Sequence, residues 1–280
     1  MPNRTTQLFR STLVSLAISA AAGPLTAHEY WIAPETGHLE ESAAISAQTL
    51  VGQNLSGASL AFLDTSVKAM THWSGEVATP IGARLGDRPA IGSLTLASPG
   101  LHRITVETHP AYIVFDTFPE FEAYLLDEGL ASIADSHRQR GLPDTEIAEA
   151  YVRNARALVQ VGPVETGHVD APTGMPFEIV ATGNPYTPDA TSLGVRLLWK
   201  GEPEDATQIA VFHVPVGGKA PADTEKLLVR TNVEGRVEIT VNGPGQYLLN
   251  AVRIEPVDGP GSVVWQSHWA SLTFEIASHQ

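Results

Sequence analysis

The sequence predicts a mainly β protein: two antiparallel β-sandwich domains joined by a helical hairpin. Three observations carry that reading. Residues 28–118 and 163–280 break into short apolar or alternating runs bounded by Gly, Pro, Asn and Asp, the pattern of strands and turns. Residues 119–162 switch to apolar spacings of three and four, the period of a helix. The chain is 43% hydrophobic, and the roughly 250 residues after Ala27 are enough to build a sizeable core.

Taken in order, the first segment is MPNRTTQLFRSTLVSLAISAAAGPLTA, residues 1–27. Arg4 and Arg10 are its only charges, an apolar run follows from Ser11 to Ala22, and small residues close it. That is the layout of a secretory leader. A run of about a dozen residues is too short to cross a bilayer, which takes roughly 20. The expectation is a soluble periplasmic protein with no membrane insertion once the leader is removed. Cleavage after Ala27 makes His28 the first residue; cleavage after Ala22 leaves it internal.

The N-terminal β domain, 28–118, contains AAISAQTLVG, ASLAFLD, GSLTLASPG and HRITVETHPAYIVF. Alternation puts His102, Ile104 and Val106 on one face of a strand. In the helical hairpin, 119–162, FPEFEAYLLDEGL lines up Phe121, Tyr124 and Leu125 before Gly129, and ASIADSHRQRG is a short helix closed by Gly141. PDTEIAEAYVRNARALVQVG then reads as a further helix, with Asp144 or Thr145 as cap, Ile147, Tyr151, Ala155 and Leu158 as its stripe, and Gly162 as its stop. In the C-terminal sandwich, 163–280, strand-like runs return. Glu234-Gly235 is a hairpin-type signal, and His268, Ala270, Leu272, Phe274 and Ile276 share an inward face.

Composition excludes several functions. The chain has no cysteine, which rules out disulfides, thiolate metal sites and a cysteine nucleophile. Its formal charge is −14, made more acidic by loss of the two leader arginines, so nucleic acid is not an expected partner. There is no G-x-S-x-G, P-loop or G-x-G-x-x-G. HEYWI begins like a zinc-protease helix but carries Ile32 where the second His must stand. The acidic pairs Glu40-Glu41 and Asp127-Glu128 read as solvated surface. No enzymatic activity is expected.

The ten histidines include none at H-x-H or H-x-x-x-H spacing, so any metal site must be assembled by the fold. His28 differs in kind. At a mature N-terminus its α-amine and imidazole both deprotonate near neutral pH and chelate one ion, a nitrogen set that suits Cu(II) or Ni(II). His268 heads an apolar face, His102 points inward, and His109 precedes Pro110 at a strand end. These three are candidates to complete the site, with Glu29 as an oxygen donor. A histidine in such a position is more often a hydrogen-bonded structural residue at the edge of the core than a ligand.

The stretch AHEYWIAP after a leader, FEAYLLDEGL and EAYVRNARALVQVG in the middle, and TNVEGRVEITVNGPGQYLLNAVRI and WQSHWASLTFEI near the end together resemble the DUF4198 family. These are exported proteins associated with periplasmic components of cobalt and nickel uptake. The resemblance implies a C-terminal domain similar to the transthyretin-like or carboxypeptidase-regulatory sandwich, and a role in handling divalent metal. Arg253 stands where relatives often carry His, and His268 where an aromatic such as Tyr is common. The first functional expectation is therefore a periplasmic nickel-, cobalt- or copper-binding protein accessory to a membrane transporter. The alternative is a metal-free β-sandwich module recognising protein or glycan through Trp31, Trp73 or Trp269. A copper enzyme on the same chelate is the third.

Overall fold

The computed structural model describes residues 28–164, 169–188, 190–259 and 261–278. The leader, His168 and His279 lie outside the described residues. Strands come first. They are β1 (Glu29–Pro34), β2 (His38–Leu39), β3 (Ala43–Gln53), β4 (Ser56–Leu60), β5 (Val67–Ser74), β6 (Val77–Pro80), β7 (Ile91–Leu96), β8 (Gly100–Thr108) and β9 (Ala111–Thr117). Two helices follow, α1 (Phe118–Asp127) and α2 (Ala131–Gln139), then the long strand β10 (Thr145–Val161). The remainder is β11 (Phe177–Ala181), β12 (Ser192–Trp199), β13 (Glu202–Pro203), β14 (Gln208–Pro215), β15 (Glu225–Arg230), β16 (Arg236–Thr240), β17 (Gly245–Pro256) and β18 (Val263–Ile276).

The mainly β, sandwich-type expectation holds. A ten-stranded sheet of order β15-β14-β17-β18-β10-β8-β5-β6, with β2 and β9 also on β10, runs through both halves of the chain. A four-stranded sheet (β1, β3, β4, β7) covers one face of it, and another (β11, β12, β13, β16) covers the opposite face. Alternation along β10 shows this directly. Ala155, Ala157, Val159 and Val161 enter the core under the first small sheet, and Leu158 enters the core under the second. The helices lie on the same face as the first small sheet, where Phe121, Tyr124 and Leu125 pack on Ile147, Trp265 and Trp269.

The helix expected over 143–162 is a correction. Residues 145–161 form one strand, paired in parallel with β18 and antiparallel with β8 and β9. Its Ala, Glu and Arg content favours helix locally, and Ile147, Tyr151, Ala155 and Leu158 do recur at helical spacing. Pairing on both edges and burial of both faces outweigh that preference. Asp144 caps nothing here; its carbonyl accepts the Phe118 amide at 2.7 Å. Among the described residues the helical part is therefore α1 and α2 alone. Gly129 separates them at φ +74, a left-handed conformation that glycine adopts without a Cβ clash.

The Glu234-Gly235 turn forms, with the Gly235 amide on the Asn232 carbonyl at 2.8 Å. Its flanking strands do not make a hairpin, because β15 pairs with β14 and β16 pairs with β12. No helix among the described residues is long and apolar enough to cross a membrane.

Candidate binding site

The five residues expected to gather around a metal do not converge. His28 precedes β1 and is partly buried. It borders a cleft of about 450 Å³ whose other walls are Val51, Gly52, Gln53, Asn54, Ser56, Gly57 and Pro221. Burial, and then the nearby Arg153 guanidinium, hold its imidazole below the usual histidine range. Glu29 is buried, with Oε2 lacking a hydrogen bond among the described residues, and burial pushes its carboxyl up to about 7.

His102 is turned toward His72, not toward His28. The Nδ1 of His102 lies 2.8 Å from Nε2 of His72, and its own Nε2 donates to the Ser98 carbonyl at 2.7 Å. That bond leaves Nδ1 as an acceptor for the His72 proton, so two neutral rings satisfy one another. Burial, and secondarily His102, lower His72 to about 4. His268 sits edge-on to Trp199 at 4.5 Å, with Nε2 3.7 Å from Glu255, and burial lowers it to about 4. Arg253, opposite it in register, forms an ion pair with Glu204. His109 is exposed at the end of β8. Among the described residues, no group of three or more His, Asp or Glu side chains could hold a metal ion.

The tryptophans offer little free surface either. Trp31 and Trp269 are each 3% exposed, in two different cores. Trp73 is half-buried and donates its Nε1–H to Thr105 at 3.2 Å. His137, which reads from sequence as a surface residue, is fully buried. It accepts from Trp265 Nε1 at 3.1 Å and donates to the Pro143 carbonyl at 3.0 Å.

A different site emerges where the first small sheet meets the central one. A cavity of about 360 Å³ opens there, between β1, β3 and β4 on one side and β5, β8, β9 and β10 on the other. Tyr30 comes from β1, and Tyr151 and Arg153 come from β10. Residues two apart on a strand share a face, so the last two point together into the gap left between the helices and the small sheet. The Arg153 guanidinium lies 4.5 Å from the Tyr151 ring centroid and 5.7 Å from that of Tyr30, close enough for cation–π attraction to both. One Nη donates to the His28 carbonyl at 3.3 Å. Its Nε is buried without a hydrogen-bond partner among the described residues.

The electrostatics of this cavity are unlike those of the chain as a whole. Arg88, His109 and Arg153 line it, and among the described residues no Asp or Glu does. Neither arginine has a carboxylate partner among the described residues. Burial draws the Arg153 pKa below its ordinary value, and burial holds the Tyr30 phenol up to about 12, so it supplies no counter-charge. Leu60, Ala61, Leu63, Val67 and Pro110 make part of the remaining wall apolar, and Thr49, Thr65, Ser66 and Thr108 add hydroxyl-bearing side chains to it. The sequence does not announce this site, because Tyr151 fits a helical stripe with Ile147, Ala155 and Leu158. Only strand alternation sets it beside Arg153.

No curated protein matches the chain. A family profile described as a domain of unknown function does, over residues 25–255. The motifs at His28–Trp31, in the middle and around Arg253 fall inside that match, and the chain belongs to the DUF4198 family.

Proposed function

We propose that the chain is an exported binding module that takes a small molecule into the cavity between the first small sheet and the central sheet. The observation that carries this reading is Arg153, a largely buried cation set against two tyrosine rings with no carboxylate partner among the described residues. Burying an arginine without a counter-charge costs several kcal/mol unless something compensates. A site shaped for a ligand is one reason for a fold to retain it. The volume, the apolar wall and the few converging polar groups match ordinary small-molecule sites. Export is part of the proposal and rests on the leader-like residues 1–27.

Native mass spectrometry of the protein after incubation with a small-molecule extract tests it. A retained mass is expected on wild type and absent from Ala61→Trp, which fills the cavity. A mass retained equally by both, or by neither, refutes the reading.

The second reading is metal chelation at His28. It is supported by an imidazole held neutral at neutral pH beside a polar cleft. N-terminal sequencing of the exported protein, followed by nickel and copper titration of wild type and His28→Ala, tests it. An unchanged affinity in the variant removes His28 from any site. The adjacent Arg153 works against a bound cation, which places this reading second.

A further inference from the structure

The cavity has a chemical preference that goes beyond its being a binding site. We propose that it selects a small organic anion, one oxyanion headgroup on an apolar or aromatic body, with the headgroup on Arg153. This rests on the cavity reading above.

Three independent features converge on that class. The first is the charge balance of the lining: two arginines and a histidine, and no acid, in a chain of formal charge −14. Acidic side chains are abundant elsewhere, and their absence from this wall among the described residues leaves neither guanidinium charge neutralised by a carboxylate. The second is geometry. Arg153 lies against the rings of Tyr30 and Tyr151 and is tethered through one Nη to the His28 carbonyl, so the guanidinium is held in place before any ligand arrives; with Nε buried, its Nη groups are the donors that would meet one. A guanidinium held in this way matches the two oxygens of a carboxylate or the oxygens of a phosphate monoester.

The third feature is the rest of the surface. Leu60, Leu63, Val67 and Pro110 suit a ring or a short alkyl chain and would leave a bare inorganic ion unmatched on that side, while Thr49, Thr65, Ser66 and Thr108 supply hydroxyls that can hydrogen-bond polar parts of an organic ligand. Arg88, exposed at the rim, adds a second positive charge that draws an anion in and is screened by salt.

Calorimetric titration of the purified protein with matched pairs tests this. The pairs are benzoate against benzamide, heptanoate against heptanamide, and phenyl phosphate against phenol, with inorganic phosphate as a further arm. At least one organic anion is expected to bind about tenfold or more tightly than its neutral partner, the difference expected when a charge-assisted hydrogen bond is lost. Which pair responds identifies the headgroup. Arg153→Gln is expected to erase that preference. Because Arg153 also touches the His28 carbonyl, Arg88→Gln serves as a second variant that leaves the packing intact, and it is expected to weaken the anion and flatten its salt dependence.

The proposal is overturned if no anion outbinds its neutral partner, if the preference survives Arg153→Gln, or if inorganic phosphate binds as well as the organic ions. Neutral compounds that bind wild type but not Ala61→Trp would sink the anion preference while leaving the cavity reading standing.

Discussion

Arg153 and Arg156 leave the same strand three positions apart and on opposite faces, and among the described residues only Arg156 of the two meets carboxylates. The Arg156 guanidinium is fully buried, 2.5 Å from Asp170 and paired as well with Glu178, with Thr173 and the Ala171 carbonyl taking further donors. That network ties β10 to the segment before β11. Arg153 has aromatic rings where Arg156 has acids. The strand thus carries one structural arginine and one left available.

Replacing Arg156 with Leu strips the buried Glu178 of its ion-pair partner and leaves Asp170 with Arg103 alone, at 3.9 Å. Breaking a buried pair from one side costs about 3–5 kcal/mol. Urea denaturation should show a fall in unfolding free energy of that order, and a loss below about 1 kcal/mol would contradict the structural role.

Glu149 gives a pH signature. Its Oε1 accepts from Ser267 and, at 3.4 Å, from Tyr124, while Oε2 has no partner among the described residues. Burial pushes its carboxyl up to about 7 from 4.5. Between those values the folded protein keeps a proton that the unfolded chain releases, so stability falls as pH rises through the window and levels off above it. The swing is on the order of 3 kcal/mol. Glu149→Gln does not titrate, so its stability relative to wild type should improve by that amount between pH 4.5 and pH 8. Parallel pH profiles would contradict the assignment.

The His72–His102 pair titrates in the opposite sense. With its folded pKa lowered to about 4 from 6.5, His72 contributes stability that is fully present above pH 6.5 and is lost as pH falls toward 4. Imidazole chemical shifts followed by NMR should place the midpoint of His72 near 4. A midpoint at the ordinary value would show that the two rings do not hold each other neutral.

Gly129→Ala should be costly despite its small size. A Cβ there would lie 2.6 Å from Gln208 Oε1 and 2.9 Å from its Cβ, at φ +74. The left-handed backbone alone costs about 1–2 kcal/mol. A thermal melt should show the loss, and an unchanged midpoint would mean that the α1–α2 junction relaxes.

Strands whose inward residues alternate were legible from the sequence. Ile104 and Val106 on β8, and Ala270, Leu272 and Phe274 on β18, are buried as read from alternation, and the opposite faces, Arg103 and Thr105 on β8 and Trp269, Ser271 and Thr273 on β18, are buried too because both faces of the central sheet are covered. The α1 stripe of Phe121, Tyr124 and Leu125 was equally plain. β10 was not, because Ile147, Tyr151, Ala155 and Leu158 fit a helix as well as their neighbours fit a strand. The deciding partner, β18, lies more than 100 residues away. The cavity depends on the same strand. Tyr30 and Arg153 become neighbours only after β10 pairs, so no local spacing announces them. The expected metal cluster rested on residue type without proximity, and the fold delivers a guanidinium to His28 where imidazoles were anticipated.

The strand that carries both arginines also sets where the protein can be cut. A truncated product ending at Val161 would end in a bare edge, because residues 148–157 draw one row of their backbone partners from residues 263–273. Such an edge invites association with other copies. Two-piece expression should therefore yield insoluble material from the first piece, and co-expression of both pieces should rescue it.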